Sequence, residues 1–82
     1  MRNFRSKEAE YYGREASKLV REVEEKLKEY YGEQEYEWIY KAVMSLVAIK
    51  GRMWSSSVPH RKGAYTTAKR LKEEVEKWLQ GA

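Results

Sequence analysis

Ala9, Tyr12, Ala16, Leu19, Val23, Leu27 and Tyr30 recur at three- and four-residue steps, the spacing that gathers side chains on one face of a helix. This pattern predicts a first helix over 6–31. Ser6 stands at the N-cap, Glu8 and Glu10 suit the positive end of the helix dipole, and Gly32 follows where a left-handed residue would end the helix. Gly13 interrupts it at a cost of about 1 kcal/mol relative to alanine, so the position reads either as a close contact or as a later true start.

A second helix is predicted over 34–50, closed by Gly51. Its pattern differs: Ile39, Ala42, Leu46 and Ile49 form one stripe, and Tyr36, Tyr40, Val43 and Val47 form another. A helix apolar on most sides is expected to be enclosed on several of them, which makes this segment the central element. Arg52 to Ser57 read as a loop. The serines offer N-caps, and Pro59 suits a first turn, so a third helix is predicted over 59–80 with Ala64, Ala68, Leu71, Val75, Trp78 and Leu79 inward. Gly63 weakens that first turn and leaves Thr66 or Thr67 as alternative caps.

The expected fold is therefore all-α, a small three-helix bundle forming a single domain over 1–82, with 1–5 as a disordered basic extension. An 82-residue chain buries a small core, and its middle helix carries more apolar surface than two amphipathic neighbours cover. Homodimerisation through the second helix, or through the overhang of the longer first helix, would relieve both mismatches.

Charge sharpens the picture. The net charge of +4 conceals two opposed regions: Glu8 to Glu37 holds ten glutamates and five basic residues, whereas Trp38 to Lys72 holds no acid and eight basic residues. Burial of the second helix explains the early part of the acid-free stretch, and the partner-facing part narrows to Lys50 through Lys72. On the first helix, Lys18–Glu22, Arg21–Glu25, Glu22–Lys26 and Glu24–Lys28 read as solvated i,i+4 pairs, and Glu73–Lys77 reads as another on the third.

The candidate site is Lys50, Arg52, Trp54, His60, Arg61, Lys62 and Lys69. Cations neutralise phosphates, hydroxyls and a helix start donate to phosphate oxygens, and an exposed indole or phenol, as at Trp54 or Tyr65, can stack on a base. The plain alternative is a solvated loop whose Trp54 rests on the core and whose serines cap a helix. Seven tyrosines and three tryptophans read first as core or interface packing, with one member of Tyr11–Tyr12 and of Tyr30–Tyr31 turned inward.

The stretch Tyr36 to Met44, then Ile49-Lys50-Gly51 and Pro59-His60-Arg61, resembles the HEPN superfamily of helical bundles over roughly residues 30–72. The resemblance implies a dimeric helical domain that binds or acts on RNA or nucleotides, often in toxin–antitoxin or antiviral systems. In ribonuclease members an Arg precedes the active-site His by four to six residues. Here seven residues separate Arg52 from His60, Arg61 follows the His, and the chain would lack the family's last helix.

Three functions follow, in this order: a module binding RNA or DNA phosphates through 50–72, a homo-oligomeric protein-interaction module, and a HEPN-like ribonuclease using Arg52 and His60. Enzymatic activity is not favoured, because the lone His60 has no carboxylate near it in sequence. Absent cysteines and a single histidine point to no metal and no cofactor. The longest apolar run, Ala42 to Ile49, is too short for a bilayer, and the N-terminus lacks the apolar core of a secretory leader, so a cytoplasmic protein is expected. The absence of Asp and Cys and the abundance of Glu and Lys give a thermophile-like composition.

Overall fold

A computed structural model of the chain describes residues 6–30 and 37–81. The basic extension 1–5, the side chain of Ser6, Tyr31, the Gly32 cap, the helix start at Gln34 and Tyr36 lie outside the described residues. The described chain is all-α: α1, Ser6–Leu27, a single 3-10 turn, Lys28–Tyr30, α2, Glu37–Lys50, and α3, Val58–Gly81. The first α-helix thus stops short of residue 31, and the tighter turn that follows it is a common way for a helix to end. The third begins at Val58 and not at Thr66 or Thr67.

Ser57 explains that start. The His60 amide donates to Ser57 Oγ at 3.4 Å, as an N-cap hydroxyl requires, and the Arg61 amide donates to the Ser57 carbonyl at 3.1 Å. Ser55 Oγ in turn accepts from the Ser57 amide at 3.0 Å. Capping stabilises the helix start well enough to carry it through Gly63.

Contacts climb α1 and α3 together. Ala9 meets Arg61, Tyr12 meets Tyr65, Glu22 meets Lys72, and Lys26 meets Glu76. The two long helices therefore run parallel and form the main interface, with α2 returning between their ends. At one end Trp38 packs against Tyr30 and Trp78, with ring centroids 5.8 and 5.4 Å apart. At the other, Trp54 reaches back to Gly13.

The core is Ala16, Val20, Val23 and Leu27 of α1, Ala42, Leu46 and Ile49 of α2, and Ala64, Ala68, Leu71 and Val75 of α3. Four alanines among these let helix backbones approach closely, and that closeness is the packing use of a small residue. Val20 was not part of the predicted stripe. It sits between Ala16 and Val23 on the helix surface and is almost fully buried.

The expectation for α2 needs correction. Only its Ile39, Ala42, Leu46, Ile49 stripe is buried, while Tyr40, Met44 and Val47 stand 67, 50 and 61% exposed. α2 is a lateral element with one apolar face inward and another facing solvent. Of the second stripe read from the sequence, Tyr40 and Val47 are exposed, Val43 is half-buried, and Tyr36 lies outside the described residues.

Candidate functional site

The basic segment after α2 divides into side chains held by the fold and side chains left free. Arg61 is the most committed. Its Nη1 donates to the Ala9 carbonyl at 2.8 Å, its Nε donates to the Ser55 carbonyl, and its guanidinium lies 5.3 Å from the centre of the Trp54 ring. Planar guanidinium geometry permits two directed bonds and a stacked face at once. Arg61 thereby ties the first turn of α3 to both the loop and the start of α1.

Trp54 completes that arrangement. A β-carbon placed on Gly13 would lie 2.6 and 2.8 Å from two Trp54 ring atoms and 3.1 Å from the Met53 carbonyl oxygen. Glycine is thus needed in mid-helix for close approach, the reading the sequence left open beside a later helix start. The indole remains 53% exposed on its outer side.

Lys50 and Lys72 are paired with the acidic helix: Lys50 with Glu24, and Lys72 with Glu22 at 2.9 Å. Lys26 reaches Glu76 at 3.6 Å. These cross-helix pairs replace three of the four i,i+4 pairs expected on α1, since Glu22, Glu24 and Lys26 each turn toward another helix. Hydrogen bonding from Lys72 holds the Glu22 carboxyl below its usual pKa, and the same contact raises Lys72. The local pairs among the described residues of α1 and the turn after it are Arg14–Glu10, Lys18–Glu15 and Lys28–Glu25.

Arg52, Lys62 and Arg70 have exposed side chains with no ion pair or hydrogen bond among the described residues. Lys69 lies 5.3 Å from the Tyr65 ring centre and is also exposed. Lys62, Lys69 and Arg70 fall on the outer face of α3 at i, i+7 and i+8, whereas Arg52 lies beside Ala48, Ile49, Ala64 and Thr67 at the junction of α2 and α3. His60 is exposed, with Nδ1 3.4 Å from Ser55 Oγ. The candidate residues are therefore dispersed, from the loop after α2 to the middle of α3.

A second aromatic group was not expected as a cluster. Tyr11 and Tyr12 of α1 meet Tyr65 of α3, with centroids 6.0 and 5.7 Å apart. The Tyr65 hydroxyl, through a hydrogen bond, raises the Tyr11 pKa above its ordinary value. Tyr11 and Gly13 are about 200° apart around α1, so this cluster and Trp54 occupy different sides of the helix. Only the parallel pairing of α1 with α3 brings these rings together, which is why spacing gave no sign of it.

Among the described residues no group of three or more His, Asp or Glu side chains could hold a metal ion, and no helix is long and apolar enough to cross a membrane. The outer face of α2, the helix the sequence offers as a homodimerisation surface, is carried by exposed Tyr40 and Val47 of its second stripe together with Met44, which belongs to neither stripe. None of the protein-family models, curated proteins or solved structures compared with the chain matches it.

Proposed function

We propose that the chain is a helical protein-interaction module that associates with a second copy of itself through the outer face of α2. One observation carries the reading: Tyr40, Met44 and Val47 are at least half exposed and lie on one side of a 14-residue helix. Exposed apolar side chains scattered singly need no explanation, but three large ones in a row on a short helix mark an interaction surface. Covering them would return about 25 cal/mol for each Å² of apolar surface removed from water. The engagement of Lys50 and Lys72 by α1 glutamates favours the same reading, because it withdraws cations from the surface that a nucleic acid would use.

Light scattering and sedimentation from low micromolar to millimolar protein test it. The wild type is expected to dimerise with concentration, and Val47→Lys to weaken association by roughly tenfold or more, since a buried valine contributes about 1.5 kcal/mol or more. Val47 is exposed in the single chain, so helical content should be unchanged in the variant. A wild type that stays monomeric over this range, in low and high salt alike, would remove the reading.

A second reading is supported by Lys62, Lys69 and Arg70, which form a run of cations on the outer face of α3 with no acidic residue until Glu73. These residues, with Arg52, could track the phosphates of RNA or DNA. Each phosphate contact contributes a slope of about −0.9 in log affinity against log salt on duplex DNA. Gel-shift titrations of the wild type and of a Lys62→Glu, Lys69→Glu double variant test it. Binding that is absent at low ionic strength, or indifferent to salt, excludes it.

A further inference from the structure

We infer that the two copies of α2 pack antiparallel about a two-fold axis, with Glu37 of each copy beside Arg52 of the other. This rests on the self-association reading above and adds to it the orientation and the residues that impose it.

The exposed positions Glu37, Tyr40, Met44, Val47 and Gly51 alternate at three and four residues, the seam spacing of two helices packed side by side. Large and small side chains are unevenly placed along this seam. Tyr40 stands near its start, and exposed Ala48 and Gly51 stand at its end. Reversing one helix against the other sets each phenol over the small residues of the second copy and brings Met44 against Val47 near the axis. A parallel pair would instead set Tyr40 against Tyr40 and leave a gap between the two Gly51 backbones, and a dry gap forfeits contacts on both sides.

Charge selects the same orientation. The start of α2 carries Glu37, whose side chain is 82% exposed and reaches only Lys41, at 3.8 Å. Beyond its end stands Arg52, whose guanidinium has no partner among the described residues. Lys50, the other cation there, is already held by Glu24. Antiparallel packing puts the free cation of one copy beside the acid of the other, twice by symmetry, and opposes the two helix dipoles. Parallel packing would place Glu37 beside Glu37 and Arg52 beside Arg52, an arrangement penalised by like charge. The matching occupant is therefore a second copy of this chain, with the same surface turned end for end.

The chain contains no cysteine, so engineered thiols report the geometry without background. Glu37→Cys and Arg52→Cys chains, mixed at a concentration where the wild type is dimeric, are expected to give a covalent dimer with a short bis-maleimide. Glu37→Cys alone is not. In parallel, Glu37→Lys and Arg52→Glu should each raise the dimer dissociation constant by about fivefold, and the two combined in one chain should restore it, since two exposed ion pairs are broken and remade. Dimerisation of the wild type with cross-linking of Glu37→Cys to itself, or with no restoration in the combined variant, overturns the antiparallel arrangement and leaves self-association standing. A monomeric wild type overturns both and assigns the α2 face to a different protein.

Discussion

Gly13→Ala sets helix propensity directly against packing, and the structure says which wins. In an unobstructed helix interior the change would stabilise the fold by about 1 kcal/mol. At Gly13 the new methyl would lie 2.6 Å from the Trp54 ring and 3.1 Å from the Met53 carbonyl oxygen. The ring is a side chain and can lift, but the Arg61 guanidinium, 5.3 Å from its centre, also holds it. About half of the indole is buried. Taking about 100 Å² of covered surface at about 25 cal/mol per Å², full displacement costs about 2.5 kcal/mol, and losing the cation–π contact adds about 0.5 kcal/mol. A smaller adjustment that keeps the ring in place costs about 1–3 kcal/mol as overpacking. The loss exceeds the gain, and a net destabilisation of about 1 kcal/mol is expected. Urea unfolding followed by far-ultraviolet circular dichroism measures it without using Trp54 as the probe. The decisive comparison is the same substitution in a Trp54→Ala background, where the ring is gone, only the 3.1 Å contact with the Met53 carbonyl remains, and the substitution should be less destabilising than in the wild type by about 1 kcal/mol or more. If Gly13→Ala stabilises the wild type, or shifts both backgrounds equally, the close approach of helix and indole is not what selects glycine.

Three further outcomes follow from the same contacts. Arg61→Ala should destabilise the fold by about 1–3 kcal/mol by removing two side-chain hydrogen bonds to carbonyls and the contact with Trp54, and Arg61→Lys should recover only part, because one ammonium cannot reproduce the fork and the stacked face. Ser57→Ala should cost about 1 kcal/mol in urea unfolding and selectively increase amide exchange in the first turn of α3, where the cap sits; uniform exchange along the helix would contradict it. Lys72 depresses the Glu22 pKa, so the pair's contribution is present above the ordinary carboxylate value of about 4.3 and is lost as pH falls through the lower folded value. The difference in unfolding midpoint between wild type and Glu22→Gln should therefore be largest near neutral pH and vanish in acid, and a difference that persists in acid would mean that the pair is not its source.

The opposed charge of the two halves takes a specific form in the folded chain. Glu22 and Glu24 of the acidic helix face Lys72 and Lys50 of the basic stretch, so part of the asymmetry is consumed as attraction between helices. What reaches solvent without an ion pair among the described residues is smaller than the count suggests: Arg52, Lys62, Lys69 and Arg70. Net charge is a property of composition, whereas the field a partner meets depends on which charges the fold has paired.

The sequence by itself determined the helices. Three- and four-residue apolar spacing located α1, α2 and α3 to within a few residues, since an amphipathic face is a local property of the chain. It also identified most of the core, including Ala16, Val23, Leu27, Leu46, Ala64, Ala68 and Val75. Only the tertiary structure decided which of the two stripes of α2 is buried, because periodicity reports that a face is apolar and not what covers it. Tertiary packing likewise turned Arg61 inward, set Trp54 on Gly13 and brought Tyr11 to Tyr65. Those contacts join residues about 40 to 55 positions apart, and their existence depends on α1 and α3 running parallel, which no local spacing encodes.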